Sequence, residues 1–355
     1  MNSPLTPGSP TELADAVCSA PRVLAVGAGT KPRLSQVADD VVRISTAKLC
    51  GIVEYEPSEF TFTALAGTPV KEIAAALAER GQYLPFDPLL VDAGATIGGT
   101  VAAGLGGPGR FRFGGLRDFI LGVRFVDGGG RLLRLGGKVV KNAAGFDLPK
   151  FFVGSLGRFG ALAEVTFKVF PRAATTRTLR FEIAEDAAKL RLLTEAAGGR
   201  WELDALDAAI GGGGVFGRIA GPASALDAIA EELLSRWPGG TLTEAEAIAL
   251  WLGVREFHWA HDGGTLVKMA LTPAQVTEFA ESVRAQTGAR GWIGLGGNVG
   301  YISWPAGEVV PVLKWPAMTL RGAAGLWPGA RVSFEVFRAM KTALDPQNRF
   351  PGLDE

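Results

Sequence analysis

Two glycine-dense blocks, DAGATIGGTVAAGLGGPG from Asp92 and KNAAGFDLPKFFVGSLGRFG from Lys141, flank a hairpin pattern and constrain this chain more than any other feature. Seven glycines fall among the sixteen residues from Gly94 to Gly109, with Thr96, Ile97 and Thr100 the main larger side chains among them. Without a Cβ, glycine reaches positive φ and lets backbone N–H groups approach a ligand closely. So rich a stretch cannot fill a core with its own side chains. It suits the wrapping of something flat and polar, such as a cofactor with phosphates and a fused ring. A flexible linker is the alternative, but linkers are serine-rich and aperiodic, whereas Val91, Ile97, Val101 and Leu105 interleave apolar residues here.

A length of 355 residues predicts two domains, each able to bury a core. Lysine plus arginine and aspartate plus glutamate both total 36, and this balance argues against a nucleic-acid partner. Cys18 and Cys50 cannot build a disulfide framework, which suits a reducing compartment. No apolar run approaches the ~18 residues of a membrane span, and the first residues lack the charged and apolar regions of a signal peptide. The expectation is a soluble, cytoplasmic protein, with peripheral attachment at the inner membrane through partner subunits left open.

Along the chain, Ser9-Pro10-Thr11-Glu12 reads as a capping box before a short helix bearing Leu13, Ala16, Val17 and Ala20. Strands are predicted at 22–26, 41–44 and 61–66. Thr68 and Pro69 have the residue types for an N-cap and first helical position, followed by Val70, Ile73, Ala74 and Leu77 at helical spacing. Residues 119–126 and 131–135 flank Asp127-Gly128-Gly129-Gly130 as a hairpin, and 165–170 form a further strand closed by Pro171. Beyond PRAATT, strands at 178–184, 215–220, 265–271, 292–295 and 299–304 alternate with helices at 186–197 and 223–237, a helix capped by Thr272-Pro273, and a final helix at 333–344. Gly211 to Gly214 reads as a turn between strands. The pattern predicts an α+β chain with helices on one sheet face.

VLAVGAGTKP opens like a dinucleotide fingerprint, but Pro32 stands where its third glycine belongs, and no GxxxxGK[ST] occurs. What remains is a tight loop from Gly27 to Lys31 with backbone N–H groups, one hydroxyl and one ammonium, able to nest a pyrophosphate. EPSEFTFTALAGTPVKEIAAALAERGQYLPFDP, ATIGGTVAAGLGGPGRFRFGGLRD and GGKVVKNAAGFDLPKFFVGSLG together resemble the FAD-binding domain of the vanillyl-alcohol-oxidase/PCMH flavoproteins. Within that family the chain is most similar to the FAD-binding subunits of bacterial glycolate oxidases. The ending ALDPQNRFPG is similar to the family's tail, although Asn348 precedes Phe350-Pro351 rather than adjoining the proline.

The resemblance implies a PCMH-type FAD-binding domain of two α+β subdomains over residues 1–172. An α+β cap or partner-binding domain would follow over 173–355, its tail returning to the first. It implies that Gly27, Ala28, Gly29, Thr30 and Lys31 clamp the FAD pyrophosphate with Gly94, Ala95, Thr96, Ile97, Gly98, Gly99, Thr100 and Ala103. Gly160 to Leu162 would run beside the adenine and flavin. Members with covalent flavin use His or Cys as tether, whereas no histidine precedes His258 and both cysteines lie outside the matched segments, so noncovalent FAD is expected. The implied activity is oxidation of a small 2-hydroxy acid, glycolate to glyoxylate. It would proceed in a complex with a larger flavoprotein sister subunit and an iron–sulfur subunit. An independent FAD-dependent 2-hydroxy acid dehydrogenase, or a structural subunit with weak flavin binding, are the alternatives.

Such an oxidation needs a base, a cationic clamp for the carboxylate and a hydride acceptor. No catalytic residue is assigned. His258, His261 and Asp262 make a poor metal site, and the histidines read more simply as packed among Phe257 and Trp259; no metal is expected. Lys141 with Asn142, and Arg110, Arg112 and Arg117, are the candidate polar groups near substrate or partner. The tryptophans read as core or subunit interface.

Overall fold

The computed structural model describes residues 4–137, 148–330 and 335–352. The chain divides into two compact units, the first built from residues 1–106, 115–171 and 333–355, the second from 107–114 and 172–332.

The first unit starts with the helix Pro10–Cys18, entered through Ser9, whose hydroxyl accepts from the Glu12 N–H. The Glu12 carboxylate accepts from Gly8 N–H at 2.8 Å. Leu13 and Val17 fall on one face and are fully buried, against Val23, Ile44, Ala161 and Phe350. Val23–Val26 pairs in parallel with Val42–Ser45. An antiparallel five-stranded sheet follows the order Ile52–Glu56, Thr61–Leu65, Ala161–Lys168, Ile120–Val126, Leu132–Gly136. Its central strand is buried from Ala161 to Phe167. Phe62 lies opposite Phe167 in register, their rings stacked at 6.0 Å, and Phe86 and Phe119 extend this aromatic core.

The C-terminal segment is locked into this unit by one carboxylate. Asp345 is completely buried and accepts from Lys341 Nζ at 2.5 Å and from the Arg349 and Phe350 N–H groups at 2.9 Å each. Lys341 also donates to the Arg158 and Phe350 carbonyls. Arg349 accepts from Val23 N–H at 2.7 Å, and Phe350 enters the core 1% exposed. Asn348 takes positive φ within the turn that Asp345 organises.

The second unit is an antiparallel eight-stranded sheet in the order Gly239–Thr241, Thr175–Phe181, Val215–Gly221, Ala205–Ala209, Arg290–Gly294, Val299–Trp304, Thr265–Ala270, Ala317–Arg321. The helices Asp186–Ala197, Ala223–Arg236 and Val276–Arg284 contribute Leu192, Leu226, Leu233, Phe279 and Val283 to a core with Leu206, Val267, Ile293 and Ile302 from the sheet. Gly211 to Gly214, all at positive φ, turn the chain between Ala205–Ala209 and its neighbour Val215–Gly221.

Several local expectations shift. Thr68 is not an N-cap. Its hydroxyl donates to the Leu65 carbonyl at 2.6 Å and accepts from Gly51 N–H, so the helix starts at Val70 with Pro69 as cap. The strand expected at 165–170 begins at Ala161, because small alanines fit a site covered on both faces. The helix Glu244–Glu256 was not foreseen, since it buries only Trp251, Val254 and Glu256 and shows no clean apolar stripe. Its legible signal was the Thr243–Glu246 capping box. Lys141 and Asn142 lie outside the described residues.

Asp345→Ala should cost on the order of 3–5 kcal/mol of stability, because it strands a partly buried ammonium and two backbone donors. Denaturant unfolding measures this directly; a loss within experimental scatter would remove the carboxylate from its organising role.

Candidate functional site

An open cleft lies in the first unit where the strand Val23–Val26 ends. The loop Gly27 to Lys31 forms one side, with Leu34 and Ser35 beyond it; Thr96, Gly99, Ala102 and Ala103 form another, and Leu156 completes it.

ATIGGTVAA is not an irregular loop but the helix Ile97–Ala103, capped by Thr96, whose hydroxyl accepts from Gly99 N–H at 3.3 Å. Its two faces explain its composition. Ile97 and Val101 are fully buried, and a Cβ on Gly98 would stand 2.7 Å from both the Cβ and the carbonyl oxygen of Ala66. Thr96, Gly99 and Ala103, on the other face, leave the cleft open because they are small. Gly98 and Gly99 are therefore glycines for different reasons. The helix ends at Gly104, at φ +65°, where a Cβ would press on the Gly154 backbone. There Gly154 and Leu156 donate to the Val101 and Ala102 carbonyls, drawing Leu156 into the cleft at positive φ.

Hydrogen-bond bookkeeping separates the two glycine segments. In the helix, the Ile97 and Gly98 N–H groups are already spent on the Thr68 and Ala66 carbonyls at 2.9 and 2.8 Å. In the loop, the Ala28, Gly29 and Thr30 N–H groups donate no hydrogen bond among the described residues. Gly29 sits at φ +68°, which turns the loop. Lys31, only 8% exposed, reaches Thr30 Oγ1 with its ammonium at 3.0 Å. A Cβ on Gly27 would overlap the Thr96 hydroxyl, so only glycine lets loop and helix meet. Three spare donors and one ammonium make the cleft suited to an anionic group.

The structure thus gathers Gly27, Ala28, Gly29, Thr30, Lys31, Thr96, Gly99 and Ala103 of the expected set. It does not bring the others to the cleft. Gly94 and Ala95 form the turn before the helix, Ala95 accepting from Val70 N–H. Ile97 and Gly98 face the core, and Thr100, 1% exposed, has its hydroxyl buried without a partner. Gly160 packs against Phe125 and Val126, and Leu162 pairs with Phe125 within the five-stranded sheet. Sequence reasoning missed Leu24, Ala25, Val26, Leu34, Ser35, Ala102 and Leu156. Only the apolar stripe of the strand hinted at them.

Other candidates resolve separately. Arg112 is engaged with the Glu202 carbonyl and the Glu202 and Asp204 carboxylates, and Arg117 is exposed. His258 is exposed rather than packed, while His261 Nε2 stands 2.7 Å from the Gly288 carbonyl. Among the described residues, no three His, Cys, Asp or Glu side chains gather as a metal site. Trp201, Trp251, Trp292, Trp304 and Trp315 are buried.

Residues 4–136 match the profile of a family described as FAD binding domain. The chain is 46% identical to glycolate oxidase subunit GlcE of Escherichia coli (strain K12) over 156 residues, which span 44% of this chain and 43% of that protein. It is 34% identical to glycolate oxidase subunit GlcD of Bacillus subtilis (strain 168), over 36% of this chain and 27% of that one. With D-2-hydroxyglutarate dehydrogenase of Xanthomonas citri pv. viticola it shares 30% identity over 46% of this chain and 35% of that protein. The matched segments span less than half of these relatives. A solved alkyldihydroxyacetonephosphate synthase superposes on 98% of this chain and 77% of its own, with TM-score 0.71 and 14% identity. The chain has the α+β fold of that solved synthase.

Gly98→Ala should lose about 1–2 kcal/mol, overpacking against Ala66 outweighing the gain in helix propensity. Gly99→Ala, whose new Cβ meets only the Thr96 hydroxyl at 3.0 Å, should be no less stable than the parent. Thermal unfolding of the pair tests the two-face assignment, which equal losses would contradict.

Proposed function

We propose that the chain is the FAD-binding subunit of a multisubunit oxidase of small 2-hydroxy acids, glycolate foremost. Its partners would be a larger flavoprotein sister and an iron–sulfur subunit. The observation that carries this reading is the set of spare N–H donors at Ala28, Gly29 and Thr30, beside Lys31 and facing a helix N-terminus lined by small residues. That geometry fits a pyrophosphate. The match of residues 4–136 to an FAD binding domain and the similarity to GlcE and GlcD support the same assignment.

In this reading the loop amides and Lys31 hold the pyrophosphate, Gly99 and Ala103 leave room for it, and Gly29 fixes the turn that aims the donors. Bound FAD supplies a hydride acceptor. The cleft is lined by neither His nor Cys, which supports noncovalent binding. The first unit, residues 1–106, 115–171 and 333–355, serves as the flavin domain and the second as the cap. With only two cysteines the chain cannot hold an iron–sulfur cluster, so electrons must leave through a partner. No helix among the described residues is long and apolar enough to cross a membrane, and attachment at the inner membrane would run through partners.

Purified chain should release its flavin as free FAD on acid or heat denaturation; flavin left on the precipitate would contradict noncovalent binding. Gly99→Val should weaken FAD binding by more than about tenfold with unfolding temperature unchanged, while Gly240→Ala, in open space in the second unit, should bind normally. Flavin-loaded chain alone should give no sustained glycolate-dependent dye reduction until the sister subunits are added. Turnover by the isolated chain would replace the complex with an independent dehydrogenase.

A further inference from the structure

The eight-stranded sheet of the second unit treats its two edges differently. At one edge the strand Ala317–Arg321 is covered: Thr319 N–H donates to the Leu326 carbonyl at 2.9 Å, and its hydroxyl to the Gly325 carbonyl at 2.6 Å. At the other edge Gly239–Thr241 is exposed at all three residues. Its register with Thr175–Phe181 fixes which backbone groups are spare. Glu182 N–H donates to the Pro238 carbonyl and Leu242 N–H to the Thr178 carbonyl, so Pro238, Gly240 and Leu242 turn inward to the sheet. By alternation Gly239 and Thr241 turn their polar groups outward, and neither amide has a hydrogen-bond partner among the described residues.

The two glycines answer to different constraints. A Cβ on Gly239 would overlap the Arg180 carbonyl, so the neighbouring strand itself demands glycine there. Gly240 has no such reason within the chain. A Cβ would meet nothing within 4 Å, and its φ is not positive. Glycine weakens a strand, and inside one it often marks the close approach of another backbone.

The helix Glu244–Glu256 begins just beyond this strand and bears a second sign of a missing neighbour. Trp251 fixes its inner side, Nε1 donating to Thr178 Oγ1 at 2.9 Å. Ala245, Ile248, Ala249 and Leu252 recur at i, i+3, i+4 and i+7 on another side; Ile248 is 62% exposed, and no charged residue interrupts Ala247 to Val254. A helix apolar on two sides has the pattern of a buried one. Alternation places Arg180, and Gly240 opposite it, on the sheet face that carries Thr178 and this helix.

We propose that this edge pairs with the same edge of a second copy of the chain, about a two-fold axis at Gly240. Antiparallel pairing centred there sets Gly239 opposite Thr241 of the second copy. Both are outward-facing, so four N–H to carbonyl bonds form and neither residue keeps a spare group. The two Gly240 residues then meet at a non-hydrogen-bonded position, where facing side chains stand closest, and both lack one. A two-fold normal to the sheet keeps both helices on the same face, beside the axis. A foreign strand would satisfy the amides alone, whereas a second copy supplies the matching glycine and the matching apolar helix together. The proposal concerns the second unit and needs no flavin.

Sedimentation equilibrium of the full-length chain tests this, with flavin content measured in each sample. The mass should rise from one chain towards two with concentration, and amide exchange at Gly239 and Thr241 should slow in parallel. Thr241→Pro removes an outward N–H while sparing the bonds to Thr175–Phe181. Gly240→Lys sets two like charges at the axis, in space that a single chain leaves open. Each should weaken self-association at least about tenfold, with the unfolding temperature of the dilute, monomeric chain unchanged. Ile248→Glu should weaken it likewise, by placing a charge in the apolar helix contact. A single-chain mass up to about 1 mM overturns the proposal, as does a dimer whose affinity survives both strand substitutions. Loss of flavin would bear on the first unit and leave this result standing.

Discussion

The approach of Gly27 to Thr96 sets the geometry of the first unit's cleft. A side chain at position 27 would collide with the Thr96 hydroxyl, so the end of a strand and the start of a helix meet only because one residue lacks a Cβ. From this contact follow the position of the loop to Lys31, the exposure of its amides and the opening over Gly99 and Ala103. The helix is held from behind by Gly98 against Ala66 and at its end by Gly104 against Gly154. Space and donors come from different segments, a division that composition alone does not show.

Much of the architecture was legible because its signals are local. Val70, Ile73 and Leu77 recur at helical spacing, Asp127-Gly128-Gly129-Gly130 stands between two alternating runs, and Asp186 to Ala197 forms the helix its periodicity announces. Long-range packing decided the rest. Thr68 has the chemistry of a cap, but Gly51 and Leu65 hold its hydroxyl, so the helix starts later. Residues 107–114 belong with the second unit, held there by Arg112 bonding ninety residues ahead, which no local pattern announces.

The site was legible in its glycines and less so in their roles. Positive φ at Gly29 and the capping chemistry of Thr96 are local properties, and both residues line the cleft. Ile97 and Gly98 belong to the same motif, but their amides are spent on Thr68 and Ala66, partners that only the fold supplies.

Amide hydrogen exchange of the chain with and without FAD tests the central claim most directly, since it reads the donors themselves. The account predicts that FAD slows exchange at Ala28, Gly29 and Thr30, whose N–H groups have no partner within the described protein. Ile97 and Gly98, already bonded, should change little. Unchanged exchange in the loop with saturating FAD, or protection confined to the helix, would contradict it.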